Sequence, residues 1–264
     1  KRITGYTKFK TLLRMRLAYF RAQRIIANAK KTKEDLSSYK ITTSKKVAVI
    51  HNPVLSAGYK AKLAETASYP FEEGCFYFLN VGRLHYQKNQ ELLIKAFQAV
   101  AQQHANARLL ILGEGEEQEN LQSLIQQLNL TNKVQLLEFQ HNPFPFYKQA
   151  DCFVLSSRWE GFGNVIVEAL SAGTPVISTA CGGPQDILQN NKYGVLVSKD
   201  SQEELTQAML QQIAGKVSFD TALLKQRAEE FTVANKAKEY LQFIQSQGCR
   251  GADPFLQTQR HELC

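Results

Sequence analysis

No apolar run in the 264-residue sequence reaches the ~18–20 residues that a membrane-crossing helix needs. The five cysteines, Cys75, Cys152, Cys181, Cys249 and Cys264, form no C-x-x-C pair and are odd in number. That argues against a disulfide framework, and the thiols read as buried or incidental ones in a reducing cytosol. No Asp-x-Asp pair occurs, so no Mg²⁺ or Mn²⁺ site is expected. A dinucleotide fingerprint is missing as well. The nearest match, Gly113-Glu114-Gly115, has Gln118 at the third glycine and carboxylates where a pyrophosphate would rest, which argues against a nicotinamide-dependent dehydrogenase. The basic start is not followed by an apolar core with a small-residue cleavage site, so no secretory signal is expected.

Acidic residues are scarce in one place only. Residues 1–50 hold 14 Lys/Arg against 2 Asp/Glu, a balance of +12, and the other 214 residues hold 18 against 22, a balance of −4. The whole formal charge of +8 therefore belongs to the first fifth of the chain. A nucleic-acid binder would interleave such charge with aromatics, and here only Tyr6, Phe9, Tyr19 and Phe20 intervene. A localised basic face points instead to an anionic surface such as a membrane leaflet. Residues 9–29 read as a helix whose apolar set is Leu12, Leu13, Leu17, Phe20, Ile25 and Ile26, with Arg14, Arg16, Arg21 and Arg24 among them. Such a helix can pack one face on its own domain and lay the other on lipid.

Apolar residues make up 44% of the sequence, enough for a core. Their spacing predicts strands over 46–50, 76–81, 108–112, 134–139, 152–156, 175–178 and 195–197. Helices are predicted over 31–38, 89–104, 116–129, 143–149, 163–172, 184–190, 201–214 and 221–244. Short apolar strands alternating with amphipathic helices define an α/β fold, a Rossmann-like parallel sheet with helices on both faces. Ligands of such sheets bind beyond the carboxyl ends of the strands. The strand 46–50 runs into His51-Asn52-Pro53-Val54, where Pro53 turns the chain. Residues 1–52 thus read as the basic remnant of one domain, 53–246 as a second domain, and 247–264 as a loose tail.

The stretch from Arg158 to Leu170, R-W-E-G-F-G-N-V-I-V-E-A-L, concentrates chemistry at that rim. Gly161, Gly163, Gly182 and Gly183 offer bare backbone. A helix begins at Gly163-Asn164-Val165, and the free N–H groups of its first turn, with the helix dipole, suit a phosphate. Glu168 lies one turn deeper on the face of Asn164, where a carboxylate can accept hydrogen bonds from a vicinal diol such as a ribose. Glu160 precedes the turn and reaches the other side. The pair brackets an extended ligand made of a diol, a diphosphate and a second hydroxyl-rich group, which describes a nucleotide sugar. Gly82 closes the strand 76–81, and Arg83 and Lys88 follow on the same rim. A diphosphate leaving group needs two such cations where no metal is present.

Taken together, V-G-R-L…Q-K-N, L-G-E-G-E-E, F-Q-H-N-P-F, A-D-C-F-V-L-S-S-R-W-E-G-F-G-N-V-I-V-E-A-L, G-T-P-V-I-S-T and C-G-G-P-Q-D-I-L resemble the family-4 glycosyltransferases. Those have the GT-B fold of two Rossmann-like domains. Within the family the pattern looks most like the bacterial enzymes of lipopolysaccharide, capsule and exopolysaccharide assembly. The resemblance covers residues 20–245. It implies that 53–246 are the C-terminal, donor-binding domain, that 1–52 end the acceptor domain, and that the chain is N-terminally truncated. It further implies retaining transfer of a sugar from a nucleotide diphosphate sugar, UDP first among them, to a lipid-linked or polysaccharide acceptor.

By the same resemblance Glu160 would touch the donor sugar's hydroxyls and Glu168 the ribose. Arg83 and Lys88 would hold the diphosphate and stabilise the leaving group, so that Glu160, Arg83 and Lys88 form the catalytic set. Gly82 and the backbone of Gly161, Phe162, Gly163, Asn164 and Val165 would complete the donor site, and the loop at Phe139–Asn142, with Phe139 and Gln140, would lie near the base. The implied mechanism is front-face, with the leaving phosphate helping to deprotonate the acceptor, and names no nucleophile. No metal, no further cofactor and no nucleic-acid partner is expected. The expected partners are the donor, the acceptor and an anionic membrane surface at the cytoplasmic face. Two departures stand out. Glu138 occupies a position where relatives usually have glycine, and a side chain there is expected to crowd the base. The acceptor domain is mostly absent, which leaves open the alternative of a non-catalytic donor-domain fragment that binds nucleotide or a partner only.

Overall fold

The computed structural model describes residues 5–246. The tail over 247–264, with Cys249 and Cys264, lies outside the described residues.

The chain begins with α1 (Gly5–Phe20), β1 (Ile25–Ala27), α2 (Lys30–Ser38) and β2 (Val47–Val49). β1 and β2 pair in parallel, Ile25 opposite Val47 and Ala27 opposite Val49. The helix expected over 9–29 therefore stops at Phe20, and Ile25–Ala27 within its last third are a strand. Ile25 and Ile26 are β-branched and fit a strand as readily as a helix; the partner β2, much further along the chain, decides the outcome. α1 carries two apolar stripes. Leu12, Met15 and Tyr19 pack on the small core of Ile25, Leu36 and Val47. Leu13, Leu17 and Phe20 face outward, 45%, 69% and 80% exposed. Arg16 and Arg24 tie the helix end down by donating to the carbonyl oxygens of Tyr39 and Lys45.

The larger unit comprises α3 (Tyr59–Ala64), β3 (Phe76–Val81), α4 (Gln90–Gln103), β4 (Ala107–Leu112), α5 (Gln118–Gln127), β5 (Val134–Leu137) and α6 (Phe144–Gln149). It continues with β6 (Cys152–Leu155), α7 (Asn164–Ala172), β7 (Val176–Thr179), α8 (Gly183–Leu188), β8 (Val195–Val197), α9 (Gln202–Ile213), α10 (Thr221–Glu229) and α11 (Val233–Ser246). The six strands pair in parallel in the order β5-β4-β3-β6-β7-β8. Successive side chains alternate between the faces. Tyr77, Leu79, Leu110, Phe153 and Leu155 share one core with residues of α6, α7 and α10. Phe78, Leu109, Ile111, Val154 and Ile177 share the other with α4, α5 and α9. Burial on both faces explains why these strands are apolar runs rather than alternating ones.

The strand order has a functional consequence. From β3 the chain winds outward through β4 to β5, then returns to the middle at β6 and winds the other way. The reversal opens a crevice beyond the carboxyl ends of β3 and β6, where open α/β sheets take their ligands.

A second expectation fails at the far end. The helix expected over 221–244 is two helices, α10 and α11, separated by residues 230–232. Phe231 is buried there, its carbonyl accepts hydrogen bonds from Val54 and Leu55 N–H at 2.8 and 3.2 Å, and Val233 N–H donates to Leu55 O at 2.9 Å. The break lets the chain stitch itself to the segment that enters the larger unit. α3 was not anticipated from the sequence; its apolar positions are too few to show a period.

Candidate functional site

The loop after β3 and the loop after β6 meet over the crevice. Arg158 N–H donates to Gln87 O at 2.8 Å, the Gln87 side-chain amide donates to Trp159 O at 2.8 Å, and Ser156 Oγ donates to Lys88 O at 2.9 Å. Held in this way, Lys88 Nζ reaches Glu160 Oε1 at 2.6 Å, and Ser157 Oγ donates to the same oxygen at 2.7 Å. The two charged side chains are only 18% and 9% exposed, so solvent screens them little. A further lock comes from the loop after β7: Glu160 N–H donates to Cys181 O at 3.0 Å.

α7 starts beside this pair. Gly163 caps it in a left-handed conformation (φ 99°) and no side chain caps its first turn. The orphan N–H groups of a helix start are thus left for a ligand. Asn164 Oδ1 accepts from Asn52 Nδ2 at 3.0 Å. Gly161 is exposed and open, whereas the Phe162 ring is buried and turned away into aromatic packing. Phe162 can offer a ligand its backbone only.

A cavity of about 540 Å³ opens on the same rim and is lined by Gly82, Arg83, Phe139, Gln140, Val165 and Glu168. All six were expected at the site. Arg83 also lines a smaller hollow of about 260 Å³ with His85, Gln87 and Lys88, so one arginine borders both the cavity and the hollow that holds Lys88. Among the described residues the Arg83 side chain makes no ion pair and donates no hydrogen bond, so its charge is free for an anion. Glu168 sits at the inner wall. Burial pushes its carboxyl above the usual range, while the Tyr147 hydroxyl and the charge of Lys62 pull it back. Glu138 is exposed and is not part of the cavity's lining.

The sequence reading missed Glu114 and Tyr147. Glu114 lines the cavity beside His141, a member of the expected 139–142 loop, and Glu114 Oε1 accepts from Phe139 N–H at 3.3 Å. Glu114 stands inside L-G-E-G and could have been found there. Tyr147, the partner of Glu168, lies in a short apolar helix and carries no local signal. Gly82 and Gly113 bring backbone into the cavity wall. A Cβ on Gly113 or Gly115 would lie 2.1 Å from Gly82 O or Leu84 O respectively, so the loops after β3 and β4 touch where side chains are missing.

Other hollows lack this convergence. The one between α3 and α11, about 580 Å³, has a single carboxylate, Glu229, already engaged by Tyr59 and Lys60. Among the described residues no group of three or more His, Cys, Asp and Glu side chains is arranged to hold a metal ion.

An open parallel sheet with a crevice at its switch point, beside the cations Arg83 and Lys88, defines an open α/β domain of the kind that takes ligands there, and comparison narrows the class. Residues 62–229 match the family of glycosyl transferases group 1. The chain belongs to that family. It is 34% identical over 273 residues to an uncharacterized glycosyltransferase of Methanocaldococcus jannaschii, covering 89% of this chain and 66% of that one. It is 30% identical over 232 residues to the N-acetylgalactosamine-N,N'-diacetylbacillosaminyl-diphospho-undecaprenol 4-alpha-N-acetylgalactosaminyltransferase of Campylobacter jejuni, covering 86% of this chain and 61% of that one. The chain therefore spans less than two thirds of the length of either relative. Its fold is that of Anabaena HepE, crystallised with UDP-glucose, with a TM-score of 0.73 at 22% identity over 90% of this chain and 69% of that one.

Proposed function

We propose that this chain binds a nucleotide diphosphate sugar, UDP-linked first among them, in the crevice. In the whole protein the sugar then passes, with retention of configuration, to a lipid-linked or polysaccharide acceptor of cell-surface glycan synthesis. The observation that carries the reading is the meeting of Lys88 and Glu160 at the switch point, on the same rim as the uncapped start of α7 and the cavity lined by Glu168. Partners for sugar hydroxyls, a diphosphate and a ribose are thus gathered on one rim. Arg83 and Lys88 would neutralise the charge that develops on the departing diphosphate, the role a divalent metal would otherwise fill. Glu160 would accept hydrogen bonds from the sugar's hydroxyls, and the base would lie against Phe139 and Gln140.

The lipid-linked acceptor is supported by the name of the Campylobacter relative. No helix of the described residues is long and apolar enough to cross a membrane. The outward Leu13–Leu17–Phe20 stripe, among arginines, supports peripheral attachment at the cytoplasmic face, where such an acceptor lies.

The test is calorimetric titration of the chain with UDP, GDP and ADP, without and with EDTA. Saturable binding of one nucleotide, unchanged by EDTA and lost in Arg83→Ala, is the expected result. Binding that needs a divalent ion would remove the metal-free reading, and no binding to any of the three would remove the donor site.

A further inference from the structure

Glu168 does not hold its place alone. Tyr147, in the last turn of α6, is fully buried and donates its hydroxyl to Glu168 Oε2 at 3.0 Å. The tyrosine has little freedom of its own. Its ring sits edge-on to Phe153 and Phe144, with centroids 5.5 and 6.3 Å away. Its backbone carbonyl accepts from Thr174 Oγ1 at 2.5 Å. Burial and the neighbouring carboxylate keep the phenol protonated, since both push its pKa well above the ordinary value, so it stays a donor. Glu168 Oε1, by contrast, takes no hydrogen bond among the described residues, and the side chain lines the cavity.

We infer that Tyr147 is the positioning residue of the carboxylate that reads the nucleotide's diol: its hydroxyl occupies Oε2 and fixes the carboxylate plane so that Oε1 faces the ribose. The inference rests on the proposed role of Glu168. A free glutamate side chain would have to be ordered on binding, and part of each new hydrogen bond would be lost to that ordering. A carboxylate already held by one strong hydrogen bond loses less. Setting the position of Oε1 before the ligand arrives strengthens its hydrogen bonds from ribose hydroxyls placed to meet it.

A merely structural tyrosine would affect all ligands alike, and a positioning one would affect only those with the diol. The experiment therefore compares UDP with 2′,3′-dideoxy-UDP by calorimetry on the full chain and on Tyr147→Phe and Glu168→Ala. The unaltered chain should prefer UDP by on the order of tenfold or more, the value of a hydrogen bond to a charged group. Tyr147→Phe should lose most of that preference while keeping its affinity for the dideoxy nucleotide. Should Tyr147→Phe fail to fold, 4-aminophenylalanine and 4-fluorophenylalanine at position 147 separate donor from non-donor on the same ring. The amino form should keep the preference and the fluoro form lose it. If Glu168→Ala loses the preference and the non-donor forms at 147 keep it, the positioning role is wrong and the diol role stands. If Glu168→Ala keeps it, or UDP does not bind the unaltered chain, both fall.

Discussion

His51 stacks on Phe162, with ring centroids 5.2 Å apart and planes 24° from parallel. One ring ends the basic first unit and the other sits inside the E-G-F-G turn of the second. The contact is reinforced nearby: Asp186 Oδ2 accepts from Lys30 N–H at 2.7 Å and faces His51 Nε2 at 3.4 Å. The aromatic of the motif therefore joins the two units, and the turn it belongs to is shaped from both sides.

Asp186 gives that joint a pH dependence. Burial alone would raise its carboxyl, but the hydrogen bonds from His51 and from Lys30 N–H outweigh burial and hold it below the usual range. A carboxyl depressed in the folded state stabilises the fold above its unfolded value, near ~4, and loses that contribution as pH falls through its folded value. Asp186→Asn should cost about 1–3 kcal/mol at neutral pH. The gap from the unaltered chain should shrink steadily in urea unfolding below about pH 4. A gap that stays constant down to acid would mean the carboxylate's charge is irrelevant.

Lys88→Met should leave Glu160 with Ser157 as its remaining partner at a nearly dry site. Donor-dependent transfer by the whole protein is expected to fall by on the order of 10²–10³-fold, as for loss of a preorganised charge. Folding stability should drop by about 1–3 kcal/mol. Glu160→Ala should abolish transfer. Initial rates with a labelled donor measure both, and turnover near that of the unaltered protein in either variant would sink the assignment.

Two glycines should respond in opposite ways. A Cβ on Gly183 would come within 2.2 Å of the Phe162 Cα, and one on Gly161 would meet nothing closer than the Asn28 amide at 3.5 Å. Gly183→Ala should therefore push the turn apart and cost about 1–3 kcal/mol or more. Gly161→Ala should leave the melting temperature nearly unchanged and weaken nucleotide binding only if ligand and backbone approach there. Thermal melts and titrations run on both variants separate the two effects.

The outward stripe of α1 should carry any membrane attachment. Leu17→Glu with Phe20→Glu alters two side chains that are 69% and 80% exposed, so stability should change by less than about 0.5 kcal/mol. Co-sedimentation with phosphatidylglycerol vesicles should be lost, and in the unaltered chain it should weaken at high salt. Equal partition onto neutral phosphatidylcholine vesicles would end the electrostatic reading.

Much of the sheet was legible because it is buried on both faces. Phe76–Val81 and Val195–Val197 emerge with the bounds that their apolar runs predict, and the other sheet strands differ by no more than two residues. The failures share a cause. Ile25–Ala27 became a strand and residues 230–232 broke a helix because distant segments, β2 and Leu55, pair with them, and local periodicity has no knowledge of either. The site shows the same division. Arg83, Lys88, Glu160 and Glu168 stand out by type and spacing. Tyr147 does not, since a tyrosine among Phe144, Pro145 and Phe146 reads as core until its hydroxyl is seen against a carboxylate.

The missing side chains at Gly113 and Gly115 bear on how a ligand arrives. Leu84 N–H donates to Glu114 O and Glu117 N–H to Leu84 O, at 2.9 and 3.1 Å, so the two loops are laced along the seam that the glycines open. Interlocked main chain of this kind has few conformations to give up when a ligand settles beside it. Capture should therefore be a single encounter, its observed rate climbing in proportion to nucleotide concentration with no plateau, and the receptor half of the ordering entropy is already spent when the chain folds.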